Sequence, residues 1–506
     1  MFLTSFILCS ILSCPGQEPM ASPMQGENNK PKIEAKAGNN LVGKVTVDGE
    51  PRQGVVVSDG INVVATDKNG EYQMFTDGRQ HVFVSVPADC RVPLRHGAPN
   101  FYKTIEFSGD EVLQRDFELE SAPVMKQWTL FTMADVQVGN KADKKDFVKM
   151  APSIGDFVST LSPNRYGVSL GDIVWNTPHN YMLYKAVFET IDVPVFSIIG
   201  NHDHNEITKG DTESDREFRD AMGPTYYSVN IGDCHLVALD DILYSGATGR
   251  NDYAGTITDA QLQWLAKDLS YVDKDKTVII CLHIPTSRRN VPYHITNNAE
   301  LYDLLRGFND VQILSGHTHI NCTTNIEPNI TETTFASVMG AFWYPLCSDG
   351  SPRGYGVLEF DGNKLVNKYY VGNGCDRDYQ IKLYAPADAV LWDPDKKEGD
   401  PYDKILANIF FWHNDWTVEV QEDGGEWVTL TEADRLIPSI DGLRCWDPDV
   451  RKSMVEGLLP ANHGGARPSN INDHMFLYTP KSTWQSVTVR ATDPYGNVYS
   501  ETINNN

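Results

Sequence analysis

The chain has 506 residues, of which 41% are hydrophobic and 10% aromatic, an ordinary globular composition that excludes disorder as the state of its main body. Single cores stop growing near about 250–300 residues, so one domain is excluded and three are expected. The formal net charge of −25 speaks against nucleic acid as a partner, because a phosphate backbone demands a basic surface.

In chain order, residues 1–14 form an apolar stretch shorter than the roughly 20 residues that span a bilayer, and they read as a signal peptide. The run Ile11-Leu12-Ser13-Cys14 resembles a bacterial lipobox, in which Cys14 would carry lipid and begin the mature chain. The expected location is then beyond the inner membrane, periplasmic or as an outer-membrane lipoprotein attached through Cys14. A plain cleaved signal is the alternative, since no Lys or Arg precedes the apolar core. Residues 15–40 are rich in Pro, Gly, Asn, Lys and Glu without periodicity, as in a flexible linker.

Residues 41–122 alternate short β-type runs (LVGKVTVDG, GVVVSDG, HVFVSVP) with Asp-Gly and Asn-Gly turns, the pattern of a small N-terminal β-sandwich. Thr66–Tyr72 resembles the turn of carboxypeptidase-regulatory or transthyretin-like modules. Nothing in this segment has catalytic spacing, and a spacer or docking role is expected.

Residues 123–374 contain five apolar runs, WTLFTMA, RYGVSL, VPVFSII, TVIICL and VQIL, which read as strands. Each closes on a short polar motif. In order these are Asp135-Val136-Gln137, Gly171-Asp172, Gly200-Asn201-His202-Asp203, His283 and Gly316-His317-Thr318-His319. Every candidate ligand therefore falls at a strand's carboxyl end, where open α/β sheets build their sites. Arg288 and Arg289 follow His283, and a Gly- and aromatic-rich stretch, 340–355, follows the last motif. Either a hairpin connection or a loop folded over the site fits that stretch. Residues 375–506 read as hairpins with Gly-rich turns, a second β-sandwich. Its Trp412, Trp416, Trp446 and Trp484 suit core packing, with a ligand platform as the other use.

The five motifs resemble those of the calcineurin-like metallophosphoesterases, and the order of modules is similar to a group of secreted bacterial phosphoesterases. The resemblance implies a central α/β metallophosphoesterase β-sandwich flanked by helices, with an all-β domain on either side. It also implies two divalent or trivalent ions (Mn, Fe or Zn by their mixed oxygen and imidazole donors), roughly 3.5–4 Å apart, which activate water and neutralise charge during in-line displacement. By carry-over, Asp135, Gln137, Asp172 and His319 would hold one ion, and Asp172, Asn201, His283 and His317 the other, with Asp172 bridging. His202 would be the general acid. Two departures matter. Gln137 stands where many members have His, and its neutral amide oxygen is the weaker donor. Trp175 stands three residues after the bridging Asp, where members carry an orienting Asp or a metal-binding Tyr, and indole can serve as neither.

Read without the motifs, a single His closing a strand, such as His283, is usually a satisfied polar residue. His204, Arg288 and Arg289 are candidate contacts to substrate, with a solvated loop as the alternative for each. His179, His235 and His294 are expected to be structural. The nine cysteines show no disulfide framework and no Cys-x-x-Cys spacing, and Cys281 fits a buried small hydrophobe. The function expected is extracytoplasmic hydrolysis of a small phosphomonoester or phosphodiester. The alternative is a surface or periplasmic binding protein that keeps a weakened metal site while its β-domains hold a glycan or partner.

Overall fold

The computed structural model describes residues 33–107, 109, 111–191, 193–249, 251–287, 294–340, 343–389, 403–436, 447–458 and 472–505. The apolar leader with Cys14, most of the linker, Arg288, Arg289, Phe342, Cys445 and Trp446 lie outside the described residues.

The five apolar runs are strands of two sheets. In the first, β1 (Gln127–Met133), β2 (Arg165–Leu170) and β3 (Val195–Ile198) run parallel, and β10 (Gly354–Asp361) and β11 (Lys364–Gly372) extend the edge antiparallel beside β1, giving the order β3-β2-β1-β10-β11. The second holds β4 (Tyr227–Ile231), β5 (Cys234–Ala238), β6 (Thr277–Cys281), β7 (Asp310–Ser315), β8 (Cys322–Glu327) and β9 (Ile330–Thr334) in the order β4-β5-β6-β7-β9-β8, with β5, β6, β7 and β9 parallel.

The alternation of strand side chains explains how these sheets stack. On β1, Trp128 and Leu130 join the core that also contains Leu236, Ile279 and Ile313 of the second sheet. Phe131 and Met133 face the other way, into a core built with α1 (Lys141–Thr160) and α2 (Tyr181–Ile191) through Phe147, Ile154, Val187 and Phe188. The strands are apolar on both faces because sheet covers one face and helix the other. Helix α1 starts where Asn140 and Asp143 cap each other's backbone amides.

The N-terminal segment forms two small sheets centred on Leu41–Val47 and Val56–Ser58 and a two-stranded ribbon of Leu94–Arg95 with Ala98–Pro99, and it docks through Trp264 Nε1 donating to Ser58 Oγ at 3.0 Å and Tyr226 OH donating to the Gly60 carbonyl at 2.7 Å. The C-terminal segment forms a three-stranded and a four-stranded antiparallel sheet. Trp412, Trp416 and Trp484 are buried in its core. Asp349, in the stretch after the last motif, ties this segment to the centre. Its carboxylate accepts from Asn321 N at 2.8 Å and lies 3.3 Å from His474 Nε2, while its carbonyl accepts from Asn408 Nδ2 at 2.8 Å and from Asn472 Nδ2.

Candidate active site

Three of the five motifs leave their strands through left-handed turns, and Asn201–Asp203 forms a short 3-10 turn. Asp135, Gln137, Asp172, His317 and His319 all have positive φ, between 44° and 65°, a region that few non-glycine residues occupy. Such strain, on the order of 1–3 kcal/mol per residue, collects at functional sites. The glycines of the motifs allow close approach, since a Cβ on Gly171 would run into the His283 ring and one on Gly200 into Asp172.

These turns bring all seven expected ligands together. Gln137 Nε2 donates to Asp172 Oδ2 at 2.7 Å and lies 3.5 Å from His319 Nε2, which is 3.1 Å from Asp135 Oδ1. On the other side of Asp172, its Oδ1 lies 3.4 Å from His283 Nε2, which is 3.1 Å from Asn201 Oδ1 and 3.2 Å from His317 Nδ1. Asp135, Gln137, Asp172 and His283 are buried. The carboxylate of Asp172 thus sits between Gln137, His319 and Asp135 on one side and His283, Asn201 and His317 on the other.

The electrostatics are those of a centre short of positive charge. Burial alone would lower the His283 imidazole, but Asp172, Asp135 and Asp241 override it and push it up to about 10. Burial would raise Asp172, and the neighbouring His283 and His202 outweigh that and hold it low. His317 is driven well below its ordinary range by burial and by His283 beside it. Among the described residues the ion pairs of Asp135 and Asp172 are with His319 and His283, so no Lys or Arg neutralises them.

Metal ions fit this arrangement. The donor atoms of Asp172, His283 and His317 lie within 4.8 Å of one another. Gln137 Oε1 is buried with no hydrogen-bond partner. Turning the amide over would set that oxygen beside Asp172 Oδ2 and His319 Nε2, a placement that only an intervening cation makes favourable. His283 Nδ1 donates to the Leu170 carbonyl at 2.8 Å, which fixes its tautomer and reserves Nε2 for a ligand role.

His202 is held differently from the carboxylate dyad of protein phosphatases. Its Nδ1 donates to Asn176 Oδ1 at 3.0 Å, its backbone N–H donates to Asp172 Oδ1 at 2.8 Å, and Trp175 stacks on its ring at 4.1 Å and 18°. The amide of Asn176, itself left-handed at φ 51°, stands in for the missing carboxylate. His204 is buried, stacked on Tyr244 and paired through Nδ1 with Ser214 Oγ at 2.9 Å, while its Nε2 has no hydrogen-bond partner among the described residues. His235 is buried between Asn230 and Asp268, a structural place.

Sequence reading passed over several supports. Asp203 accepts from the backbone of Ile173, Val174 and Gly200 and from Tyr181 OH, lacing two motif turns together. Burial and the nearby Asp172 push it up to about 7. Asp241 accepts from His283 N and Ile284 N. Trp343, from the stretch after the last motif, donates Nε1 to the Gln137 carbonyl at 3.3 Å. Asp203 carried a signal as the last residue of Gly-Asn-His-Asp, and Trp343 as part of the stretch for which a loop folded over the site was one reading.

Comparison with known proteins agrees with this geometry. Residues 132–321, which contain all seven expected ligands, match the family described as calcineurin-like phosphoesterase. Residues 39–122 match the N terminal, and residues 332–499 the C terminal, of calcineurin-like phosphoesterase. A probable glycerophosphodiester phosphodiesterase of Arcobacter nitrofigilis is 31% identical over 163 residues, 30% of this chain and 56% of that protein. A probable cyclic nucleotide phosphodiesterase of Rhodococcus erythropolis is 27% identical over 157 residues, 29% of this chain and 48% of that protein. The chain thus spans about half the length of the curated relatives it matches. Among solved structures, a dimetal phosphatase from Danio rerio aligns at 13% identity over 49% of this chain and 99% of its own, with a TM-score of 0.34. With its centre and both flanks matched, the chain belongs to the calcineurin-like phosphoesterases that carry N- and C-terminal modules.

Proposed function

We propose that this protein is a metal-dependent hydrolase of small phosphoesters with a two-metal site. The observation that carries the reading is the convergence of seven donors on a buried, negatively charged centre whose Gln137 Oε1 has no partner. Asp135, Gln137, Asp172 and His319 would hold one cation, and Asp172, Asn201, His283 and His317 the other. When bound, the pair supplies charge neutralisation at the phosphoryl group and activates the attacking water. The chain's own part is to keep two like charges close through the shared carboxylate of Asp172 and to manage the leaving group. With Nδ1–H held by Asn176, His202 would give a proton to the departing oxygen from Nε2 only as the doubly protonated imidazolium, a form that burial of the ring disfavours. Trp175 fixes the plane of that ring and covers one face of it. Phosphodiesters are the first class to test, because both curated relatives are named phosphodiesterases.

We further propose an extracytoplasmic location, supported by the apolar residues 1–14 and the lipobox-like run ending at Cys14. The neutral Gln137 favours a second reading, a binding protein with a weakened site. Metal analysis of the full chain, together with hydrolysis of bis-p-nitrophenyl phosphate and p-nitrophenyl phosphate, separates the two. The enzyme reading expects metal-dependent turnover of at least one ester that a chelator abolishes and added Mn, Fe or Zn restores. Metal-loaded protein that hydrolyses neither ester would leave the binding reading.

A further inference from the structure

A cavity of 470 Å³ opens at the amino-terminal ends of β6 and β7, where the C-terminal segment packs against the central one. The expected metal ligands His283 and His317 follow the carboxyl ends of the same strands, so the two places are about 20 Å apart at ~3.3 Å per residue. The metallophosphoesterase chemistry does not use this cavity.

At its wall lies Lys368 of β11, only 3% exposed. The ammonium donates to Thr333 Oγ1 at 2.7 Å and stands 6.0 Å from the Phe411 ring, and among the described residues no carboxylate forms an ion pair with it. An ammonium has three donors. One is accounted for, and a buried cation with one hydrogen bond is expensive unless something else accepts. Burial pushes Lys368 down to about 8, with Asp415 and Asp310 opposing at longer range.

Those two carboxylates line the same cavity. Each is oriented by a side-chain amide: Gln312 Nε2 donates to Asp310 Oδ1, and Asn325 Nδ2, reaching across from the central segment, donates to Asp415 Oδ2, both at 2.8 Å. Each retains acceptor capacity. Tyr495 and Leu365 supply apolar surface beside them. An anion is disfavoured here because Asp275, Asp310 and Asp415 outnumber Lys364 and Lys368 on the wall. A cation meets Lys368, and an apolar ligand leaves the polar wall unpaired. A neutral ring bearing several hydroxyls can give acceptor oxygens to Lys368, donor hydroxyls to Asp310 and Asp415, and a C–H face to the tyrosine ring. The volume is also within the range of about 300–1,000 Å³ usual for small-molecule sites.

We infer that this cavity between the central and C-terminal segments is a binding site for a neutral saccharide unit, separate from the phosphoesterase centre. Saturation-transfer NMR on the full chain tests it, with the methyl glycosides of glucose, galactose and N-acetylglucosamine as probes and inorganic phosphate as the competing anion. The expected result is transfer to the ring protons of at least one glycoside. Asp415→Asn should weaken that binding by about tenfold or more, the worth of a hydrogen bond to a charged group, Tyr495→Ala should weaken it by removing the ring face, and both should leave diester hydrolysis unchanged. Asp415 is half exposed, so its amide variant should fold. No transfer to any glycoside overturns the inference, as does glycoside binding that both variants leave intact. Phosphate binding that Asp415→Asn strengthens would mark an anion site and overturn it as well.

Discussion

At His202 the chain places an amide and an indole where protein phosphatases of its family place a carboxylate. An amide oxygen orients an imidazole without lending it negative charge, so orientation is kept and basicity is not raised. If His202 gives the proton, His202→Ala slows esters with basic alkoxide leaving groups by about 10²- to 10⁴-fold, leaves p-nitrophenyl esters nearly untouched, and does not change metal content. Equal losses on both ester types would remove it from that role. At Gln137, replacement by His exchanges a weak neutral oxygen for imidazole, the better donor to Mn, Fe or Zn. The metal concentration giving half activity should fall, as read from titration of the stripped protein; an unchanged value would put Gln137 outside the metal's reach. Asp172→Asn removes the charge shared by both groups, and loss of bound metal with activity down by several orders of magnitude is expected, measured as ions per chain and turnover. The seven candidate ligands, which the structure brings together, were legible as a group because their motifs follow strands. Asn176 was not, since its tie to His202 spans 26 positions and depends on a left-handed turn that no local pattern announces.

Strands and turns were legible to different degrees. The five apolar runs of the central segment end within a few residues of their motifs because burial on both faces leaves no polar alternation to blur their limits. The pairing of β10 with β1 was not readable. Its register rests on Gly356 lying against Phe335 and Thr132, contacts between segments far apart in the chain. The same holds for Glu332 on β9. It is buried, and burial pushes it up to about 7, yet it accepts from Thr286 N, Thr286 Oγ1, Ser287 N and Ser315 Oγ. It thereby anchors the chain that leaves His283. Glu332→Gln turns an NH₂ toward donors that need an acceptor, and a loss of about 1–3 kcal/mol is expected, seen as a lower midpoint in denaturant unfolding. A midpoint equal to that of the unaltered chain would show that the anchor contributes nothing.

Across the whole molecule, the stretch after the last motif is one of several ties between the central and C-terminal segments, beside Asn325 with Asp415 and Phe335 stacked on Phe411. One end reaches the metal centre through Trp343 and the Gln137 carbonyl; further on, Asp349 is gripped by Asn408, Asn472 and His474. Cutting the chain after residue 374 removes those three partners and the segment that covers Asp349, leaving its carboxylate, among the described residues, only Asn321 and Ser351. The shortened protein should keep fewer ions per chain than the whole one after identical dialysis, and equal retention would show that the stretch holds its shape unaided. There is also a consequence in time. A chain grows from its N-terminus, and earlier segments fold first. The turns carrying Asp135 to His319 are therefore made long before the residues that lock Asp349 emerge. A nascent chain halted short of Asn408 would hold every candidate ligand and Trp343 and still lack the three partners of Asp349, so the tie to the C-terminal segment is made last.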